Sequence, residues 1–241
     1  MDYKKIARYV VLGILFFLPV TFLLFLYPAT HNYTPLDIVN ESVLDLNGFS
    51  SDSNEDIKLS EHITILGFLG NHPLQRSIAA SNLKELVYDK FKGFKRFQLV
   101  IVMPEGTQED VEALKKEISS YEDLKFWHFV YGTPKAIQSL YGSLKSDVAL
   151  DASLGTNNVF IIDQDLSQRG RLDAREDNEI AKKAPVYGLY SYNCIEVAEI
   201  KNKMSDDVRI LFTEYRQKRK GNFDSTTRRA SDLKDDGELN N

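Results

Sequence analysis

The hydrophobic and polar positions between residues 57 and 220 follow a pattern of short apolar runs separated by helix-like stretches. Continuous apolar runs of strand length occupy four segments, 63–69, 97–103, 126–130 and 159–162. Between them, apolar residues recur at helical spacing, and they do so again near the end of this region. Strands that alternate with helices predict a largely parallel sheet covered by helices, closed here by a hairpin at 170–172 and a last helix. We therefore predict one α/β domain over residues 57–220.

One uncharged and almost wholly apolar segment, residues 9–27, stands apart from this pattern. About 20 apolar residues cross a bilayer core as a helix. Tyr9 and Tyr27 bracket the segment, where aromatic rings favour the membrane interface. Basic residues in the preceding segment, 1–8, predict a cytoplasmic N-terminus, because positive charge stays on the cytoplasmic side. The sequence thus predicts a single-pass inner-membrane protein with a periplasmic domain.

A cleaved signal peptide is the competing interpretation of this N-terminal region. The apolar run is longer than a signal peptide needs, and residues 27–30 offer no small-x-small cleavage site. We therefore predict a transmembrane helix at 9–27. Two further segments are polar: residues 28–56, predicted to be a linker with one short strand near 43–44, and residues 221–241, predicted to be a disordered tail.

The composition of the chain argues against several kinds of partner and binding site. The formal net charge of -5 argues against nucleic acid as the main partner. The single cysteine, Cys194, excludes an internal disulfide and a cysteine-based zinc site. The four histidines lie far apart in the sequence and show no ligand spacing. The sequence therefore predicts no metal site, no cofactor and no catalytic residue.

The segment GFLGNHPLQRSIAASNLKEL, residues 67–86, resembles the copper-binding motif of the SCO family. That family has a strand, then Cys-Pro-x-x-Cys-Pro, then a helix. Aligned without a gap, His72 falls on the first cysteine and Arg76 on the second, and Gly155 falls on the family's ligand histidine, eight residues before Asp163. The turn after Asp163, the last helix and the N-terminal anchor also match. The resemblance implies a thioredoxin-like fold, with a central mixed sheet flanked by helices and an N-terminal transmembrane helix.

The chain departs from the SCO pattern at every metal ligand. Thiolates suit Cu(I) and act as the nucleophile in thiol exchange, whereas arginine stays protonated and cannot coordinate a metal. His72 and Arg76 remain candidates for contacts at the former site, with Arg76 suited to an anion at a helix N-terminus. The alternative is that both are solvated loop side chains.

Cys194 is the candidate thiol. We expect it at the start of the last helix, where the helix terminus lowers a thiol pKa. The alternative is a small, partly buried residue without a chemical role.

Three functions follow from these observations. The first is a membrane-anchored, non-catalytic binding or assembly protein with a protein partner in the membrane or periplasm. For this function the resemblance implies a link to respiratory oxidase biogenesis. The second is a metallochaperone with unconventional ligands around His72, and the third is a thiol redox protein that uses Cys194. We favour the first, because the sequence places no second ligand near His72 and no second sulfur near Cys194.

Overall fold

The computed structural model describes residues 3–26, 35–52, 56–119 and 124–219. The chain divides into two units, Met1–Thr34 and Pro35–Asn241. The tail predicted at 221–241 lies outside the described residues, as do residues 28–34 and 53–55 of the predicted linker.

The first unit contains one helix, α1 (Tyr3–Leu26), with Pro19 inside it. Most side chains described on this helix, between residues 8 and 22, are apolar and exposed. Thr21 donates its hydroxyl to the Phe17 carbonyl one turn earlier, at 2.7 Å. Within the described parts of the chain, no helix is long and apolar enough to cross a membrane. The anchor expected at residues 9–27 stays a prediction.

The second unit is built on one mixed sheet, in which eight described strands have the order β1-β7-β6-β3-β4-β5-β2 and β8 pairs with β6. The strands are β1 (Asp37–Asn40), β2 (Ser50–Ser51), β3 (Ile63–Leu69), β4 (Phe97–Pro104), β5 (Trp127–Gly132), β6 (Gly155–Ile162), β7 (Gln168–Gly170) and β8 (Tyr192–Asn193). The helices are α2 (Ser77–Leu83), α3 (Asp89–Phe91), α4 (Gln108–Ser119), α5 (Pro134–Gly142), α6 (Asp177–Ala181) and α7 (Ser205–Arg219).

The strand directions give the thioredoxin-like arrangement that the sequence predicts. Strands β3, β4 and β5 are parallel, β6 runs antiparallel to β3, and β7 runs antiparallel to β6 before the chain continues to α7. A parallel strand–helix–strand unit followed by a hairpin and a helix defines this fold. The α/β thioredoxin-like prediction is confirmed.

Two hydrophobic layers cover the sheet because side chains alternate along each strand. Ile63 and Ile65 belong to one layer, with residues of α2, α4 and α7, whereas Leu66 and Phe68 belong to the other, with residues of α5. Every residue of β3 is buried, as its continuous apolar run predicts.

The prediction of a linker at residues 28–56 is wrong for residues 35–52, which we call the edge strap. Its two short strands cover opposite edges of the sheet, with β1 pairing with β7 and β2 pairing with β5. Between them, Val43 and Leu46 are buried in the layer that contains α5. The predicted strand at 43–44 is absent from this described segment, because Val43 is held by a bond from its N–H to the Leu166 carbonyl, 2.9 Å away.

The helical segments that contain α2 and α7 both depart from a regular α-helix. A 3-10 turn (Pro73–Arg76) precedes α2, a π-helical turn (Lys84–Tyr88) follows it, and a second π-helical turn (Glu199–Met204) precedes α7. The two π-helical turns lie side by side, since the Ser205 hydroxyl donates to the Leu86 carbonyl at 3.2 Å. Ile78 in α2 and Val197, which precedes the second π-helical turn, are exposed.

Candidate functional site

The candidate site lies where strand β3 ends and strand β6 begins. Leu69, the last residue of β3, pairs with Gly155, the first residue of β6. The loops beyond these residues meet, and the Asn71 N–H donates to the Ser153 carbonyl at 2.9 Å. Gly70 has a φ of +73°, and a Cβ there would lie 2.5 Å from the Ser153 hydroxyl oxygen. The close approach of the two loops therefore requires glycine at this position.

Arg76 fills the space between the two loops. Its Nη1 donates to the Leu69 carbonyl at 3.0 Å, and its Nη2 forms an ion pair with the Asp151 carboxylate. A Cβ added at Gly155 would lie 2.7 Å from Arg76 Nη1 and 2.8 Å from Cζ, so the guanidinium rests directly on the glycine. The structure thus brings together the two positions that the SCO resemblance aligns with the second cysteine and the ligand histidine.

Asp151 is the residue of this site that the sequence analysis missed. Its Oδ1 accepts from the Ser153 N–H at 2.8 Å, the Ser153 hydroxyl at 2.6 Å and the Gly155 N–H at 3.0 Å. Partial burial acts to raise the pKa of Asp151, but the bonds from Ser153, Gly155 and Arg76 outweigh it and lower the pKa to about 2. The signal in the sequence was the spacing Asp-x-Ser-x-Gly, in which an aspartate caps its own turn.

These contacts correct the prediction for Arg76. Its side chain is only 14% exposed, and its charge is met by an anion of the same chain, so it is neither a solvated arginine nor a donor left open for an external anion. Arg76 is a structural link between the loops.

His72 lies on the outer side of the same loop. It is exposed, it precedes the 3-10 turn, and its side chain makes no capping hydrogen bond there. Two apolar side chains near it, Leu74 and Ile78, are 43% and 66% exposed. We call these three residues and Gln75, which is also exposed, the loop face.

Cys194 is not at the start of a helix, as predicted, but in the turn after β8. Its side chain is buried, and its Sγ lies 3.9 Å from the Tyr192 carbonyl oxygen. Burial, and then the charge of Glu199, raise the pKa of the Cys194 thiol well above its ordinary value. The predicted lowering of this pKa is wrong. The thiol does not lie at a helix N-terminus, and its burial removes it from water, which raises its pKa. The turn is tied to α2, since Asn82 Nδ2 donates to the Cys194 carbonyl at 2.8 Å.

Among the described residues, no group of three or more histidine, cysteine, aspartate or glutamate side chains is arranged to hold a metal ion. His72 therefore has no set of partner ligands in this part of the chain.

Several solved structures are similar to this chain. They include apo Sco1 from Thermus thermophilus (12% identity, 77% of this chain and 99% of that chain, TM-score 0.43). They also include the soluble domain of Sco1 from Bacillus subtilis (13% identity, 74% and 95%, TM-score 0.40) and copper-bound ScoI from Arabidopsis thaliana (14% identity, 67% and 94%, TM-score 0.40). No protein-family model and no curated protein matches the chain. Sco proteins, which the sequence resembles, are therefore among the structures similar to this chain. The assignment of the fold itself rests on the order and direction of the strands.

Proposed function

We propose that the protein is a membrane-anchored, extracytoplasmic, SCO-like binding protein that acts without copper or thiol chemistry. The observation that carries this proposal is the Arg76 guanidinium, which lies between the loops, against Gly155 and paired with Asp151. The guanidinium supplies no electron pair to bind a metal, and the carboxylate beside it, Asp151, is engaged by Arg76, Ser153 and Gly155. The thiol alternative gains no support, because Cys194 is buried with a raised thiol pKa.

The anchor belongs to this proposal. What supports it is the uncharged sequence of residues 9–27 and the exposed apolar side chains described on α1. Soluble proteins rarely expose so many contiguous apolar side chains unless another apolar phase or partner covers them. The basic residues in 1–8 support a cytoplasmic N-terminus and, with it, the proposal of a periplasmic thioredoxin-like unit.

The loop face is the surface we propose for a protein partner. Its exposed residues include two apolar side chains, Leu74 and Ile78, and the imidazole of His72. The Arg76–Asp151 link holds the loop in place. Less conformational entropy is therefore lost when a partner binds to the loop. The SCO resemblance supports a partner involved in respiratory oxidase biogenesis.

Site-specific cross-linking in native membranes tests the binding role. A photoactivatable residue replaces Gln75, and cross-linked products are compared with and without Ile78→Ser. Ile180→Ser is the matched control, because Ile180 is 48% exposed and lies on α6, outside the loop face. We expect Ile78→Ser to abolish a discrete product that Ile180→Ser retains. Identical products from both variants would show that the loop face is not the contact surface.

Two further measurements separate the parts of the proposal. In a Cu(I) titration against a competing chelator, we expect the full chain to retain no copper, and stoichiometric retention would overturn the non-metal role. Deletion of the gene is expected to lower the amount of assembled terminal oxidase. Unchanged oxidase assembly would remove the oxidase link and leave the binding role to the cross-linking result.

A further inference from the structure

A second site lies at the opposite end of strand β3 from the loop face. A cavity of about 510 Å³ opens beside Ile63, the first residue of β3. Since β3 advances about 3.3 Å per residue, this cavity and the loop after Leu69 are separated by about 20 Å. We call the cavity the basic pocket; its charged and aromatic lining includes Phe94, Lys95, Arg96, Tyr215, Arg216 and Arg219.

The charges of the basic pocket are all of one sign. Its lining contains four cationic side chains and no carboxylate. Arg96 donates to a neutral group, the Gln164 side-chain oxygen, at 3.0 Å. Within the described ranges, Lys95, Arg216 and Arg219 have no carboxylate partner. Clustered like charges repel one another, and a bound anion would relieve that repulsion.

An acidic residue next to the lining in the sequence pairs with a cation outside the pocket. Asp165 follows the lining residue Gln164 in the sequence, but its carboxylate lies 3.6 Å from Lys218 Nζ, a cation outside the lining. The positive charge of the lining therefore remains available to a ligand.

One wall of the pocket is aromatic and fixed. The rings of Phe94 and Phe212 are stacked with centroids 4.4 Å apart, and both residues line the cavity. The turn that carries Lys95 and Arg96 is held by bonds from the Phe97 N–H to the Phe94 carbonyl (3.3 Å) and from the Ile63 N–H to the Arg96 carbonyl (2.7 Å). The site is thus preformed, with an apolar wall beside convergent cations, as small-molecule sites commonly are.

We propose that the basic pocket binds the phosphate group of a ligand that also carries an apolar or aromatic part. Arginine guanidinium groups match phosphate oxygens in a bidentate geometry, and three arginines and a lysine suit a multiply charged oxyanion better than a single carboxylate. The stacked rings of Phe94 and Phe212 contact the apolar part. The pocket shares no residue with the loop face, so this proposal stands independently of the proposed function.

The phosphate has two possible sources, a soluble phosphate ester or a phospholipid headgroup. The backbone of the thioredoxin-like unit begins beside the helix that lines the pocket, because the Leu36 N–H donates to the Glu214 carboxylate at 2.8 Å. Glu214 immediately precedes the lining residue Tyr215 on α7. Both sources present the same phosphate group, and the experiment distinguishes the two.

Calorimetric titration of the full chain in detergent micelles tests the proposal with four probes. Inorganic phosphate and phenyl phosphate represent the soluble source, while dihexanoyl phosphatidylglycerol and dihexanoyl phosphatidylcholine represent an anionic and a zwitterionic headgroup. If the source is soluble, we expect phenyl phosphate to bind saturably and more tightly than inorganic phosphate. If the source is a headgroup, we expect dihexanoyl phosphatidylglycerol to bind saturably and more tightly than dihexanoyl phosphatidylcholine. Binding of phenyl phosphate assigns a soluble ester, and binding of the anionic lipid alone assigns a headgroup.

The matched variants are Arg216→Gln and Arg209→Gln, both on α7. Arg209 lies outside the lining and pairs with Asp206, so it controls for the loss of one exposed charge. We expect Arg216→Gln to weaken binding about tenfold, the effect of one lost charge-assisted hydrogen bond, and Arg209→Gln to leave the affinity unchanged. Melting curves confirm that both variants fold. The absence of saturable binding by all four probes, or an equal loss in the two variants, would overturn the proposal.

Discussion

Replacing Arg76 with alanine removes the link between the two loops of the candidate site. The variant loses the hydrogen bond to the Leu69 carbonyl, which contributes about 1 kcal/mol. It also loses the ion pair with Asp151, whose side chain is 48% exposed, so solvent screening limits this contribution to about 1 kcal/mol. We therefore expect Arg76→Ala to lower the free energy of unfolding by about 2 kcal/mol.

Urea unfolding of the full chain in mild detergent, followed by tryptophan fluorescence, measures this change. The control is Arg209→Ala, which breaks an ion pair with both side chains more than half exposed and is expected to cost no more than about 0.5 kcal/mol. A double-mutant cycle with Asp151→Asn isolates the ion pair. If Arg76→Ala loses no more stability than Arg209→Ala, the link does not hold the loops together.

The hydrogen bonds that Asp151 accepts from Ser153 and Gly155, together with its ion pair with Arg76, predict a dependence on pH. The folded-state pKa of Asp151 is about 2, below its ordinary value of about 4, so the aspartate stabilises the fold above pH ~4. This stabilisation is lost as the pH falls from ~4 towards 2, because the carboxylate is then protonated in the folded state also. The stability advantage of the wild type over Asp151→Asn is therefore expected to disappear across this interval, and an advantage that persisted at pH ~2 would contradict the assignment.

Three other predictions concern packing. Gly155→Ala places a Cβ 2.7 Å from Arg76 Nη1 and 2.9 Å from the Leu69 carbonyl oxygen, and is expected to lower the melting temperature, whereas Gly142→Ala, with nothing within 4 Å, is not. Cys194 is expected to react with a disulfide reagent only after unfolding, so rapid labelling of the native protein would contradict its burial. A fragment that begins at residue 41 lacks β1 and is expected to unfold at lower urea concentration than one that begins at residue 35; equal midpoints would show that β1 contributes nothing to stability.

The central strands were predictable from sequence because they are buried on both faces. A strand such as β3 must be apolar throughout, and this pattern is visible without knowledge of its neighbours. The edge strap was not predictable in this way. Its strands are short and its pairing partners, β5 and β7, are distant in the sequence, so its polar composition suggested a linker.

The candidate site was predictable only in part for a similar reason. Alignment placed Arg76 and Gly155 at one site, and the structure puts them in contact. The carboxylate that neutralises Arg76 is Asp151, which also caps the turn that follows it. The sequence pattern of such a turn occurs often by chance, so it did not identify Asp151 as a residue of the site. Cys194 was misplaced because the short strand β8 ends the preceding segment and leaves the thiol in a buried turn.

The edge strap also sets the order in which the molecule can be completed during synthesis. It leaves the ribosome before either strand that it covers, and β1 cannot pair until β7 has been made. In this interval the backbone groups of β1 that will pair with β7 are unpaired, and unpaired strand edges are templates for aggregation. Changes within the strap should therefore reduce the yield of correctly assembled protein more than they reduce the stability of molecules that have finished folding.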